Sequence, residues 1–259
     1  MTWDALRVKL EAELGEAITI DALTATWRVA QRAAGHRHSV DDVLTAHRAL
    51  HEVAGGSRTT SVLDLGSGIG GVGLLALWGL GPRARLVCVE AQAISHRLLV
   101  ANVAGNELGD RVVTRLGDLR ELALDQRFEL ITGSPPYFPL GTGILPADDQ
   151  KAHARFELRG DVGDYARAAE RHLAVDGVFV FCFPTVQRGR AIASVGASGL
   201  HVTTMRDVVP RVGLRPLFTL FACRRTEVAC TVDPPLEVRT ADGALGAEMR
   251  GVRRRFGFT

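Results

Sequence analysis

Lysine is nearly missing from this chain. Of its 31 basic residues, only Lys9 and Lys151 are lysines; the rest are arginines. The formal net charge of +2 rules out the strong positive field of a general nucleic-acid packager. Arginine grips phosphate and stacks on bases better than lysine, so the bias is compatible with RNA without arguing for it. Cysteine is also sparse. Cys88, Cys182, Cys223 and Cys230 form no CxxC pair, which argues against a metal ribbon or a disulfide framework and for small core residues in a reducing compartment. No apolar run is long enough to span a bilayer. The start, Met1-Thr-Trp-Asp-Ala-Leu6, lacks the basic-then-apolar layout of a secretory signal. A cytoplasmic location without membrane contact is expected. No internal repeat is visible, and nothing in the periodicity reads out an oligomeric state.

What is present suits one large α/β domain. The chain has 259 residues, 46% of them hydrophobic and 23% charged, enough for a sizeable core. Residues 1–55 read as a helical or mixed leader, with Leu6, Val8, Leu10 and Leu14 suggesting an amphipathic helix. From residue 61 apolar strands alternate with helices, predicting a mostly parallel sheet covered on both faces. Strands are expected near 61–65, 85–90, 111–116, 128–132, 177–183, 202–208 and 216–222. The last two are separated by too few residues for a helical crossover and are expected to form an antiparallel hairpin at the sheet edge. Residues 138–158 read as a long loop, a length usually reserved for functional lids. Residues 56–230 make the main domain, and 231–259 read as a Pro-, Gly- and Arg-rich tail.

Two segments carry chemistry. The first is Ser61-Val-Leu-Asp-Leu-Gly-Ser-Gly-Ile-Gly70, a strand, a glycine-rich turn and a helix start. Gly66, Gly68 and Gly70 let a ligand approach the backbone at a helix N-terminus. Alone, such spacing is a weak signal shared with dinucleotide sites. Asp64, however, would repel a pyrophosphate and attract a sulfonium or an amine. Glu90 ends the second strand of the alternating series, where a carboxylate can accept both ribose hydroxyls. Ala91 follows it. Asp118 and Leu119 close the third strand, with Asp118 placed to accept from an adenine amino group. A carboxylate-lined crevice fits S-adenosylmethionine. Residues 61–224 resemble a class I, Rossmann-like methyltransferase, which implies a seven-stranded sheet with an antiparallel edge hairpin.

The second segment is Gly133-Ser-Pro-Pro-Tyr-Phe138. Successive prolines fix φ and remove amide donors, leaving carbonyl acceptors. Ser134 adds a hydroxyl acceptor, so Ser134 and Pro135 can hold both hydrogens of an exocyclic amine while Tyr137 stacks on a flat ring. Methyl transfer then depends mainly on positioning. The segment resembles the Asn/Asp/Ser-Pro-Pro-Tyr/Phe signature of amino-methyltransferases acting on adenine, cytosine or glutamine. Residues 21–31 and 35–46, Ala154-Arg-Phe-Glu157 and Pro234-Pro-Leu-Glu-Val-Arg239 resemble the bacterial valine-tRNA adenine-N6-methyltransferase family. The resemblance covers most of the chain from about residue 19. It implies that the leader packs against the methionine end of the donor, making His36, Arg37, Ser39 and Asp41 candidate site residues. Two positions depart from the family pattern: Ser134 replaces an Asn and Phe156 replaces a His. The substrate implied is adenine N6 in a structured tRNA, with the base flipped or unpaired. The arginines and phenylalanines of residues 250–258 suit phosphate contact and stacking. The alternatives are methylation of a small heteroaromatic metabolite or of a protein glutamine, and a non-catalytic binding module that keeps the fold.

Overall fold

The computed structural model describes residues 1–53 and 61–259. The expected boundary between residues 55 and 56 lies outside the described residues. The chain begins with α1 (Trp3–Leu14), capped by the Thr2 hydroxyl and closed by Gly15 in the left-handed region. Leu6 and Leu10 of α1 are buried, but Val8 is exposed, so its apolar stripe is narrower than expected. A hairpin of β1 (Ile18–Ala22) and β2 (Arg28–Arg32) follows, then α2 (Val40–Val53).

The alternating region supplies β3 (Ser61–Leu65), α3 (Gly71–Leu80), β4 (Arg85–Glu90), α4 (Ala93–Gly105), β5 (Val112–Leu116) and β6 (Phe128–Gly133). It continues with α5 (Asp149–Arg155), α6 (Val162–His172), β7 (Leu173–Pro184), a short 3-10 turn (Thr185–Gln187) and α7 (Arg188–Ala197). The chain ends with β8 (His201–Val209), β9 (Phe218–Arg224), β10 (Thr231–Glu237) and α8 (Ala247–Arg255).

These strands form one sheet in the order β10-β8-β9-β7-β6-β3-β4-β5. Only β9 runs against the rest. Two cores sandwich the sheet, and strand alternation assigns residues to them. Val178, Val180 and Cys182 of β7 join the core containing α2, α3 and α4 residues. Phe179, Phe181 and Phe183 join the core containing α6 and α7 residues. There Phe181 stacks between Phe179 and Phe221, with centroids 5.0 and 4.8 Å away. The winding reverses at β3, which pairs with β4 on one side and β6 on the other. Such a switch point opens a crevice at the carboxyl ends of the strands.

Among the described residues the sheet has eight strands, not seven. The β8–β9 hairpin is antiparallel as expected, but it is not the edge, because β10 pairs with β8 in parallel. Asp233-Pro-Pro235 hides this strand in the sequence. The prolines break the alternation, and the pairing shifts register between Asp233 and Leu236. An edge strand tolerates this, since one flank of its backbone needs no partner strand. The tail is therefore built into the domain. The long loop also holds a helix, α5, started by the Asp148 side chain on the Lys151 amide.

β10 is tied to α2 through Arg48, which is buried and pairs with Glu52 at 2.7 Å and with Asp233. Removing the cation takes the partner from Asp233 and leaves Glu52 with Arg224 at 3.5 Å and the Thr204 hydroxyl. Arg48→Ala is expected to lower unfolding free energy by about 3 kcal/mol, measured from the urea midpoint. An unchanged midpoint would show that β10 is held without this bridge.

Candidate active site

The turn after β3 is shaped from below. Gly66 and Gly68 have φ of 60° and 56°, which L side chains rarely adopt. A Cβ on Gly66 would lie 1.9 Å from the Tyr165 hydroxyl, whereas one on Gly68 would meet open space. The turn thus rests on Tyr165 and opens above Gly68. Gly70 begins α3 and packs on Leu74 and Leu99 rather than facing the crevice.

Asp64 is buried beneath this turn. Its Oδ1 accepts from the Thr132 hydroxyl at 2.6 Å and its Oδ2 from the Gly73 amide at 3.1 Å. Burial pushes its carboxyl up to about 6, against the lowering effect of these hydrogen bonds. Glu90 is also buried and raised by desolvation, while the amides of Gln92 and Gly68 oppose the shift at 2.6 and 2.8 Å. Its carboxylate therefore fixes the turn as well as facing the crevice.

These groups border a cleft of about 120 Å³. Of the residues expected from sequence, Arg37, Asp64, Gly66, Gly68, Glu90, Ala91, Asp118, Leu119 and Ser134 line it, as does His36. Arg37 is paired with Asp21 at 3.0 Å. Asp118 is held by Arg120 at 2.6 Å, which lowers its pKa. Ala91 gives its carbonyl to Arg159 at 2.7 Å. Pro136 lines the cleft, while Pro135 is buried beside it.

Ser39, Asp41 and Tyr137 do not line the cleft. Tyr137 packs edge-on against Phe183, at a centroid distance of 6.2 Å. Its hydroxyl donates to Asp41 Oδ2 at 3.1 Å and meets Cys182 Sγ at 3.2 Å. Ser134 Oγ meets the same sulfur at 3.2 Å. Burial pushes the Cys182 thiol up to about 12, so it keeps its proton at neutral pH. An ionised Asp41 only accepts, and this gives the chain one direction. Tyr137 donates to Asp41, Cys182 to Tyr137 and Ser134 to Cys182, leaving the serine lone pairs free.

The sequence reading missed the lid side. Gln150 of α5 is buried and donates to Ser95 at 3.0 Å, while its carbonyl accepts from Arg32 and the His36 amide. Arg32 also binds Asp148 at 2.7 Å and Glu16 at 2.5 Å, latching the lid to the hairpin. His153 Nδ1 is buried without a partner at the cleft. His38 and Asp42, 3.0 Å apart, close the opposite wall. Burial favours neutral His38, but the Asp42 carboxylate outweighs it and raises the pKa. Only α5's cap signal, Asp148, was readable locally. The other contacts join residues distant in sequence.

A ligand with hydroxyls, a purine-like edge and a positive centre fits this donor set. The carboxylates of Asp64 and Glu90, the open face of Gly68 and the unpartnered His153 nitrogen match the parts of S-adenosylmethionine.

No family model matches the chain. It is 26% identical over 173 residues to the tRNA1(Val) (adenine(37)-N6)-methyltransferase of Phocaeicola vulgatus, covering 67% of this chain and 72% of that one. It is 32% identical over 132 residues to the enzyme of the same name from Porphyromonas gingivalis, covering 49% and 50%. Among solved structures, a predicted O-methyltransferase from Agrobacterium tumefaciens matches with TM-score 0.64 and 18% identity, over 85% of this chain and 98% of that one. Methanocaldococcus jannaschii Trm5, in complex with adenosine, matches with TM-score 0.58 and 16% identity, over 82% and 57%.

The raised Asp64 pKa predicts a pH effect on stability. The unfolded chain releases this proton near pH 3.8 and the folded chain near 6. Between these values the folded state binds more protons, so stability falls as pH rises, by roughly 3 kcal/mol in total. In urea unfolding from pH 4 to 7, Asp64→Asn should remove this component of the slope. A slope identical to that of the parent would assign the effect elsewhere. The fold, the crevice and the sequence likeness converge: the chain has the class I methyltransferase fold and resembles the bacterial tRNA1(Val) (adenine(37)-N6)-methyltransferases.

Proposed function

We propose that the chain is an S-adenosylmethionine-dependent N-methyltransferase that methylates adenine N6 in a tRNA. The carrying observation is the adjacency of two unlike sites. A carboxylate-rich, glycine-floored cleft reaches Ser134, where acceptor groups converge and buried amide donors are removed by Pro135 and Pro136. Nucleic-acid substrate and cytoplasmic location are further supported by the curated relatives' names and by the absence, among the described residues, of a helix able to cross a membrane.

When bound, S-adenosylmethionine supplies a methyl group on a positively charged sulfur, open to in-line attack by a nitrogen lone pair. The chain's own residues orient that nitrogen. Ser134 Oγ and the carbonyls of the Pro-Pro corner accept the two amine hydrogens, which aims the lone pair into the cleft. Cys182 Sγ accepts the serine O–H hydrogen bond, so the serine lone pairs face the amine as acceptors. Tyr137, pinned by Asp41 and by Gln187 on its carbonyl at 2.6 Å, fixes the corner. In this position the Tyr137 ring packs on Phe183, and its hydroxyl orders the corner. No strong general base is required, because the methylated nitrogen loses its extra proton readily to water.

Purified protein, labelled donor and separate pools of total tRNA, total protein and metabolites test the reading. Label is expected in tRNA, recovered as N6-methyladenosine; label confined to the metabolite or protein pool contradicts it. Tyr137→Ala should leave donor affinity by calorimetry within about two-fold and lower kcat by about 100-fold, a size typical of lost positioning. Collapse of donor binding would show that the two halves of the site are not separate. Cys182→Ala removes the sulfur that orders Ser134 and Tyr137. It should lower kcat by about ten-fold with unchanged donor affinity, and full activity would dismiss the directed chain.

A further inference from the structure

The β8–β9 loop, residues 210–217, stands at the same edge of the sheet as the cleft. A continuous set of hydrogen bonds joins it to the acceptor corner. The Gln187 amide donates to the Tyr137 carbonyl at 2.6 Å, and the Thr185 amide, two residues earlier, donates to the Leu217 carbonyl at 3.3 Å. On its far side the Val212 amide donates to the Arg239 carbonyl at 2.9 Å, bringing in the turn that follows β10. Together these segments make a shelf beside Tyr137.

Its surface is unusual for this protein. Val186 is 92% exposed, Leu217 59% and Leu214 57%, so apolar side chains stand in water at the shelf. Arg211 and Arg215 stand beside them, exposed, their side chains without an ion pair or hydrogen bond, although most arginines among the described residues have one or the other. Residues 206–217 and 237–259 hold eight arginines against four acids, in a chain whose overall charge is +2. Two of those acids, Asp207 and Glu248, are already neutralised by Arg188 and Arg206. Asp242 is held by Thr240 and the Ala244 amide. Arg250 and Arg253 to Arg255 lie on α8, which ends against Leu50 of α2, whereas the loop itself, residues 210–217, holds two arginines and no acid.

We propose that this shelf is the docking surface for the RNA backbone flanking the target base, with Arg211 and Arg215 on phosphates and Val186, Leu214 and Leu217 against sugars and unpaired bases. The assignment rests on the RNA reading above. Charge complementarity selects a polyanion over a neutral partner: a flipped base leaves its flanking phosphates close to the corner, and two unpaired cations on one loop suit successive phosphates.

The test compares Arg211→Glu/Arg215→Glu with Arg83→Glu/Arg127→Glu, which makes the same charge change at the opposite edge, before β4 and β6. Binding of unmodified tRNA is measured by fluorescence anisotropy between about 50 and 200 mM salt, alongside tRNA methylation kinetics and donor affinity by calorimetry. The shelf pair is expected to raise the tRNA Kd and KM by at least about ten-fold and reduce the log–log salt slope by about 2, while donor affinity stays unchanged and reports a folded protein. The opposite-edge pair should behave like the parent. If the glutamate pair does not fold, Arg211→Gln/Arg215→Gln carries the same reading with a smaller loss. Active parent protein with equal losses in both pairs, or with none in the shelf pair, overturns the shelf while sparing the RNA reading. A parent that methylates protein or metabolites but no RNA overturns both.

Discussion

The arrangement of this molecule turns on the Asp64 carboxylate. It sits at the end of β3, buried, and joins three elements at once: its own strand, the start of α3 through the Gly73 amide, and β6 through Thr132. Gly73 leaves room for it, since a Cβ there would lie 2.8 Å from Asp64 Oδ2. A carboxylate at a helix N-terminus gains from the helix dipole, but burial works against its ionised form. The same contact that closes the core beneath the switch point therefore holds a titratable group poised near pH 6 at the floor of the cleft. Glu90 repeats the pattern from β4, bonding the Gly68 amide across the turn. The glycine-rich turn is stiffened by the two acids that line the cleft, so the shape of the site and its charge are one construction.

The parts of this construction legible in sequence were the local ones. Asp64, the glycines and Glu90 lie at strand ends, where alternation places them without knowledge of the rest. The Pro-Pro corner is equally local. The lid read as a long loop, but its helix and contacts were not legible, because Gln150 reaches Ser95, His36 and Arg32 across large separations and an isolated seven-residue helix has little propensity signal. Tyr165, one of the chain's two tyrosines, read as an ordinary helix residue; only the fold brings its ring beneath Gly66 and against Gly133. β10 was concealed by Pro234 and Pro235, and the edge of the sheet moved with it.

The Pro-Pro corner shows how a short hydroxyl is ordered by its neighbours. Ser134 lacks the fixed amide that the related signature usually carries at that place. Here the hydroxyl is ordered by Cys182, the sulfur by Tyr137 and the tyrosine by Asp41, a residue of α2 in the leader. The leader thus contributes to both halves: His38 and Asp42 to the cleft wall and Asp41 to the acceptor corner. Neighbouring carboxylates also divide their charge. Burial and the adjacent Asp42 raise Asp41, whereas the hydrogen bond and charge of His38 overcome burial to lower Asp42.

A crystal structure with S-adenosylhomocysteine tests the central claim most directly, since it locates the donor against both segments at once. The account predicts ribose hydroxyls on the Glu90 carboxylate, the amino-acid end toward His38 and Asp42, and the sulfur facing Ser134 and Pro136. A ligand whose ribose is turned from Glu90, or whose sulfur points away from the Pro-Pro corner, would contradict it.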